Sequence, residues 1–289
     1  DVYKRQALYK RKQGARAIST VISTVILTGA IVVMLTVTLV FTNGYFQLKI
    51  AESDFYAAKQ FMQTVALQVD DVAWTMGRTE TIRYSSRYGD ATVLPQCVNY
   101  TMYVKNQTGG PYRFFTSYLV GTILFNVPIS HYNLFNGYYN LISPYSDNTL
   151  TLKGTSAPAT RVFSIEKLPM GDGSFIRIVV VPSIRLLNST ISNTLYVKMY
   201  LPVIELTPSP RLAQSITLTG SSLSTSMINH VESINITVSF PTATSQLGFD
   251  NSFFHFPSLY ETINIPDGFD DVVLEVYASR VTVLVGANV

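Results

Sequence analysis

The chain has 289 residues, of which 47% are hydrophobic and only 13% charged, against about 25% charged in a typical globular protein. This composition excludes a disordered chain, and the length allows one or two domains with buried cores. The formal charge of +3 arises in residues 1–16, which carry six basic side chains and one acidic side chain. The rest of the chain carries 15 basic and 17 acidic side chains. Because the rest of the chain is slightly acidic, a general nucleic-acid binder is excluded.

Residues 1–6 are Asp-Val-Tyr-Lys-Arg-Gln, without an initiator Met. This hexapeptide matches the translation of a transposase adapter used in library preparation, so we expect it to be an adapter artefact at the end of a fragmentary sequence. A natural start trimmed by processing is the alternative. We assign residues 1–6 no function, and the basic leader continues to residue 16.

An uncharged run covers 17–48, and its central part, 18–41, consists mainly of Ile, Val, Leu, Thr and Met. About 20 such residues in a helix cross the ~30 Å hydrocarbon core of a bilayer. Core helices of soluble domains rarely run this long without a charge, and a cleaved secretory signal has an apolar region of only about 7–15 residues. The sequence therefore predicts a transmembrane helix over 17–48.

The residues that flank this run predict its orientation. The basic residues before the run are Lys10, Arg11, Lys12 and Arg16. After the run, the charge of Lys49 is offset by Glu52 and Asp54. Since positive flanks stay on the cytoplasmic side, we expect a cytoplasmic N-terminus and an extracellular C-terminal domain.

The segment Arg11-Lys12-Gln13-Gly14-Ala15, followed by the apolar run, resembles the class III signal sequence of archaeal type IV pilins and archaellins. In that family a prepilin peptidase cleaves after the Gly, so the resemblance implies cleavage between Gly14 and Ala15. Bacterial pilins usually have Glu five positions after the cut, where this chain has Ser19, whereas archaeal members often lack the acid. An ordinary, uncleaved signal anchor is the alternative.

A helical pattern continues over 49–79, where no Pro occurs and Gly77 lies near the end. Its apolar residues recur mostly at steps of three and four: Ile50, Phe55, Ala58, Phe61, Met62, Val65, Val69, Val72, Ala73 and Met76. This period predicts an amphipathic stalk helix. In pilin-like subunits the first half of such a helix forms the filament core and the second half packs on a head domain.

Residues 80–289 are rich in Ser, Thr, Tyr and Phe, and the helical period disappears. Alternating segments typical of strands are 98–104, 161–165, 175–181, 195–201, 215–218, 234–240 and 274–285. Turn sequences rich in Gly, Pro and Asp separate them. The sequence predicts an all-β, β-sandwich-like domain with a candidate sub-boundary near 208–210, and an α+β fold for the whole chain.

No catalytic motif is present: there is no nucleophile elbow, phosphate loop or paired-His zinc motif. His131, His230 and His255 have no carboxylate or second His at ligand spacing, and the single cysteine, Cys97, has no His nearby. We therefore expect a non-enzymatic protein with no catalytic residues, no cofactor and no metal. The carboxylates of Asp267, Asp270 and Asp271 would suit a calcium loop, but an acidic turn before the final strand explains them equally well.

Two sets of residues are candidates for contacts outside the cell. Tyr132, Tyr138 and Tyr139 lie among Asn residues, a composition typical of binding loops, and form a candidate adhesion loop. Packing at a sandwich edge is the alternative. The candidate glycosylation sites are the sequon residues Asn99, Asn106, Asn188 and Asn235, a number close to chance for this composition.

These features predict a non-enzymatic, archaeal-type pilin-like cell-surface subunit with a β-rich head for a surface filament or adhesion. Its expected partners are the membrane, a prepilin peptidase, and copies of itself or other pilin-like subunits, but not nucleic acid. Association through the helix would use Gly29, Ala30 and neighbouring Thr residues, because small residues let helices approach closely in lipid. The alternative is an uncleaved single-pass surface binding protein that does not form filaments.

Overall fold

The structure, a computed structural model, describes residues 2–107, 109–144, 149–210, 212–266 and 268–286, with only the backbone described over 2–20. One long helix precedes an all-β domain of two curled sheets, so the predicted α+β fold is confirmed. The chain divides into two compact units, residues 1–50 and residues 51–289. The elements are α1 (Val2–Ala73), β1 (Thr79–Arg83), β2 (Asp90–Asn106), β3 (Arg113–Pro128), β4 (Tyr138–Ser143), β5 (Thr151–Lys153), β6 (Thr160–Glu166), β7 (Phe175–Pro182), β8 (Ile184–Ile191), β9 (Thr194–Leu206), β10 (Ser215–Ile228), β11 (Val231–Ser239), α2 (Thr242–Ser245), α3 (Asn251–Phe254), β12 (Tyr260–Asn264) and β13 (Asp271–Val285).

The part of α1 that belongs to the second unit buries one face. The buried residues are Ala51, Phe55, Ala58, Phe61, Met62, Val65, Ala66, Val69, Val72 and Ala73. They recur at steps of three and four, as the sequence predicts, because such residues lie on one side of a helix. Tyr56 and Leu67 point away from this face and are 54% and 68% exposed.

The end of α1 is fixed by contacts with β10. After Ala73 the chain turns, and Gly77 adopts a positive φ of 77° that favours glycine. The Gly77 N–H donates to the Gly220 carbonyl at 2.8 Å, and the Gly220 N–H donates to the Arg78 carbonyl at 3.0 Å. These hydrogen bonds hold residues 77–78 beside β10, and the next residue, Thr79, begins β1, which pairs with β10.

The strands form two sheets. The first has the order β1-β10-β13-β9-β8-β5 and the second has the order β12-β11-β2-β3-β7-β6-β4. Neighbouring strands are antiparallel except for the pairs β9–β13 and β5–β8, which run parallel. The segment 208–210 lies between β9 and β10, and strands from before and after it pair within both sheets.

Two hydrophobic cores occupy the second unit. The inter-sheet core lies between the sheets and contains side chains such as Tyr100 and Leu274. The helix core surrounds the buried face of α1 and contains residues from both sheets, such as Phe125 and Ile216. The interior strand β7 contributes Val179 and Val181 to the first core and Ile178 and Val180 to the second, so both of its faces are buried.

Strand β13 contributes to both cores with opposite faces. Leu274, Val276 and Ala278 belong to the inter-sheet core, whereas Val281 and Val283 belong to the helix core. Because side chains alternate along a strand, the change from even to odd positions is a change of face. The first sheet therefore covers the second sheet with one face and the helix with the other.

Candidate functional site

The apolar segment, residues 21–48 of α1, leaves its large side chains uncovered. Their exposed fractions range from 48% at Ile31 to 75% at Phe41, and no residue of this segment is buried among the described parts of the chain. The segment carries no charge, and its helix is long and apolar enough to span a membrane. Exposed apolar surface of this extent is unfavourable in water and marks a site of contact with lipid or with other apolar chains.

Four threonine hydroxyls within the apolar segment, those of Thr24, Thr28, Thr36 and Thr38, donate hydrogen bonds to carbonyls of the helix itself. Thr28 Oγ1 donates to the Thr24 carbonyl at 2.8 Å, and Thr36 Oγ1 donates to the Val32 carbonyl at 2.8 Å. Thr38 Oγ1 bonds the carbonyl four residues earlier in the same way, at 2.7 Å. Since a polar group in hydrocarbon is costly without a partner, this bonding makes the threonines compatible with a bilayer.

A shallow notch lies at Gly29 in the apolar segment. The side chains around it belong to Thr24, Val25, Thr28, Val32 and Val33. A Cβ added at Gly29 would meet no atom of the chain within 4 Å, so packing within the described chain does not require glycine there. Glycine costs about 1 kcal/mol relative to alanine inside a helix, and a notch of this kind allows a second helix to approach closely.

The predicted cleavage residues Gly14 and Ala15 lie within α1, in the part where only the backbone is described. The basic residues around them lie in the same part. Their side chains are therefore outside the described residues, and the cleavage site stays a prediction from the sequence.

A row of stacked side chains lies on three neighbouring strands of the first sheet, on the same face as the helix-core residues Val281 and Val283. In this tyrosine row, Arg185 lies beside Tyr200 and Tyr200 lies beside Tyr277, each pair being directly opposite in register. The Tyr200 and Tyr277 rings stack with centroids 5.0 Å apart, and the Arg185 guanidinium lies 5.2 Å from the Tyr200 centroid. Arg and Tyr are enriched at protein interfaces, so the row is a candidate contact surface.

Polar partners hold the tyrosine row in place. Asp70 accepts from Trp74 Nε1 at 2.9 Å and from Arg185 at 3.3 Å, and the Trp74 ring packs edge-on against Tyr200. Tyr277 donates its hydroxyl proton to Glu275, and this hydrogen bond raises the pKa of Tyr277 to about 12. No local sequence pattern predicts the row, because Tyr277 on β13 lies far along the chain from Arg185 and Tyr200.

The candidate adhesion residues lie close to the two cores. The Tyr132 ring packs on Phe55 at 5.5 Å, beside the helix core. The Tyr139 ring packs on Phe163 at 5.5 Å and on His255 at 4.0 Å, and its pKa is raised by burial. Tyr138 is half-buried in β4. Two of the three rings thus contribute to packing within the second unit.

The four sequon residues lie on strands. Asn188 is exposed in β8, and Asn106 is half-exposed at the end of β2. Asn99 donates to Ser239 at 3.4 Å and accepts from Ser117 at 2.8 Å. Asn235 is half-buried in β11, and its Oδ1 atom is buried without a hydrogen-bond partner among the described residues.

Cys97, His131 and His255 all pack against other side chains of the second unit. The Cys97 thiol is buried beside the Thr122 hydroxyl, and burial raises its pKa to about 12. The His131 ring stacks on Tyr88 at 4.2 Å. Burial and the charge of Lys167 lower the pKa of His255. A thiol with so high a pKa is a poor nucleophile at neutral pH.

The acidic turn before β13 acts as a backbone anchor. Asp271 accepts from the backbone N–H of His230 at 3.0 Å and from its own neighbour Val272 at 2.7 Å. The Asp270 N–H donates to the Asn193 carbonyl at 3.1 Å, and Asp267 lies outside the described residues. Among the described residues, no three His, Cys, Asp or Glu side chains group as metal ligands.

Comparison of this chain with protein-family models, with curated proteins and with solved structures finds no match. The resemblance to pilins therefore stays a prediction from the sequence.

Proposed function

We propose that this protein is a non-enzymatic, archaeal-type pilin-like cell-surface subunit, anchored or assembled through its N-terminal helix and displaying the second unit as a head. The observation that carries the proposal is the apolar segment 21–48, which is uncharged and uncovered along its length. It belongs to the same helix whose residues from Ala51 to Ala73 supply one side of the helix core. A helix with these two parts suits a subunit that anchors by one part and folds around the other.

Anchoring in a membrane accounts for the apolar segment. Lipid would solvate its exposed Val, Ile, Leu and Phe side chains, and the hydroxyls of Thr28, Thr36 and Thr38 already have partners within the helix. The basic residues at positions 10–16 would keep the N-terminus in the cytoplasm. The second unit would then lie outside the cell, where the exposed sequon residue Asn188 could be glycosylated.

Assembly into a filament would replace lipid contacts of the apolar segment by contacts with neighbouring copies. Because lipid is as apolar as leucine, such association depends on close packing rather than on hydrophobicity. The notch at Gly29 provides the close approach that this packing needs. The predicted cut after Gly14 would remove most of the basic charge that otherwise holds the leader in the cytoplasm.

Processing is tested by expressing the gene with its natural start in a host that contains an archaeal prepilin peptidase. We expect mass spectrometry of the mature protein to find Ala15 as the N-terminal residue. A Gly14→Val variant should keep the basic leader, whereas Gly44→Val, the same change far from the cut, should be processed normally. An intact leader on the wild-type protein would contradict the pilin proposal and favour the uncleaved surface protein.

Assembly is tested on the same cells by shearing them and separating filaments from membranes. The wild-type protein should enter the filament fraction, and Gly29→Leu, which fills the notch, should be processed but remain in the membrane. If the processed wild-type protein occurs only as a monomer in the membrane, filament assembly is refuted. The protein would then be a membrane-anchored surface binding protein.

A further inference from the structure

The second half of β10 is an edge without a neighbouring strand. β10 pairs with β13 from Ile216 to Ile228, but with β1 only from Ser215 to Thr219. Among the described residues, no strand pairs with 221–228 on the side opposite β13. This stretch, the β10 edge, therefore presents backbone N–H and C=O groups that a further strand could pair with.

Apart from an irregularity of register at Ser221, where it begins, the β10 edge lacks the features that usually keep sheet edges apart. Its sequence is Ser-Ser-Leu-Ser-Thr-Ser-Met-Ile, with no Pro and no charged residue. Natural proteins normally protect such edges with charges, proline, short strands or covering segments. Two large apolar side chains also lie exposed here, Leu223 at 43% and Met227 at 62%.

The positions of these two side chains are symmetric about Thr225. Leu223, Thr225 and Met227 share one face of the strand because side chains alternate. In an antiparallel pair of two β10 edges centred on Thr225, Leu223 of each copy would lie opposite Met227 of the other, and the two threonines would face each other. Apolar and Thr–Thr cross-strand pairs of this kind stabilise sheets, and the uncharged edge introduces no repulsion.

We propose that the β10 edge is a two-fold interface with a second copy of this chain, formed by antiparallel pairing centred on Thr225. The pairing would join the two first sheets into one continuous sheet. Because Thr225 lies opposite Tyr277 in register, the tyrosine rows of the two copies would be in line, separated by the two paired β10 strands. A two-fold contact of this type is self-complementary and closes as a dimer.

Another free edge of the first sheet, on β8, is shorter than the β10 edge. β8 pairs with β5 only through residues 184–186, which leaves 187–191 without a neighbour among the described residues. Pairing of the β10 edge with this β8 edge would generate an open chain of copies. The two-fold contact is favoured because its paired strand is longer and because it matches Leu223 with Met227 twice. The proposal concerns the second unit alone and does not depend on how the apolar segment is used.

Cysteine cross-linking of the full chain in detergent tests both the contact and its register. Cys97 is buried and its pKa is raised to about 12, so only the introduced cysteines would react. With a mild oxidant or a short thiol cross-linker, Thr225→Cys should form a covalent dimer. A mixture of Leu223→Cys and Met227→Cys chains should cross-link, whereas either alone should not, since identical positions would lie about 13 Å apart.

Charge reversal provides an independent test by sedimentation of the full chain. Thr225→Lys should weaken the dimer about tenfold or more, because two lysines would face each other, and mixing it with Thr225→Glu should restore the dimer. Ser189→Lys, the matched change on the β8 edge, should have no effect. Cross-linking between Thr225→Cys and Ser189→Cys chains, or a chain that stays monomeric and uncross-linked, would overturn the proposal. A failure here would leave processing at Gly14 unaffected, so the two proposals are separable.

Discussion

Gly220 is the residue at which the end of α1 meets β10. A Cβ at this position would lie 2.5 Å from the Val72 carbonyl oxygen and 2.9 Å from the Thr75 carbonyl oxygen. Because both atoms belong to the backbone, neither can move aside easily. We expect Gly220→Ala to lower the free energy of unfolding by about 1–3 kcal/mol in urea titrations. The control Ser222→Ala, on the exposed part of the same strand, should change it by less than about 0.5 kcal/mol.

His255 makes the stability of the second unit depend on pH. Burial against Tyr139, together with the nearby charge of Lys167, lowers the pKa of His255 below its usual value of 6.5. As the pH falls below about 6.5, the unfolded chain binds a proton that the folded chain does not, so stability decreases. The loss continues until the pH passes the lowered pKa of the folded state.

The measurement that checks this is the thermal midpoint of unfolding between pH 7.5 and 5. His255→Asn keeps a residue that tolerates the left-handed backbone at this position, where φ is 52°, but removes the titrating group. We expect the midpoint of the variant to fall less between these pH values than that of the wild-type protein. Equal slopes would show that His255 does not contribute to the pH dependence.

The α1 segment from Ala51 to Ala73 is part of the fold of the second unit rather than a separate tether. Met62 is fully buried in the helix core, whereas Leu67, on the opposite face, is 68% exposed. Met62→Ala should therefore lower the free energy of unfolding by about 2–5 kcal/mol, since it removes buried atoms and leaves a cavity. Leu67→Ala, measured by the same denaturant titration, should change it by about 0.5 kcal/mol or less. Similar losses for both variants would contradict this assignment.

The elements that the sequence predicts well are those with a regular period. The helical steps of three and four from Phe55 to Ala73 identify the buried face of α1, and the uncharged run identifies the apolar segment. The predicted segment 98–104 overlaps β2, where every second residue is buried and the residues between are partly exposed. The predicted segment 274–285 overlaps β13, which alternates in each half although its buried face changes between Ala278 and Val281. A short stretch of sequence is therefore enough to predict a helix or strand wherever one side of that element faces water.

Other elements escape prediction for physical reasons. β3 is buried on both faces over residues 120–125, so apolar and polar residues do not alternate there and Ile123, Leu124 and Phe125 follow one another. The tyrosine row and the β10 edge depend on strand order: β9 pairs in parallel with β13 across a long stretch of intervening chain. Register between distant strands is set by the whole core, and no short sequence signal specifies it.

At the scale of the whole molecule, the two units present different surfaces. The apolar segment is uncharged and uncovered, whereas the second unit buries most of its apolar residues in two cores and carries most of its charges outside them, with exceptions such as the exposed Met227 and the buried Arg177. Such a division suits a chain that meets two solvents, lipid and water. If the apolar segment spans a membrane, the side on which the second unit lies can be measured by chemical labelling.

Labelling of intact cells with a membrane-impermeant maleimide tests this orientation. Cys97 should remain unlabelled because it is buried with a pKa of about 12, so each variant reports on one introduced cysteine. Ala243→Cys, at an exposed position in α2, should be labelled in intact cells if the second unit is extracellular. Ala7→Cys, combined with Gly14→Val to retain the leader, should be labelled only after permeabilisation. The reverse pattern would place the second unit in the cytoplasm and exclude a surface role.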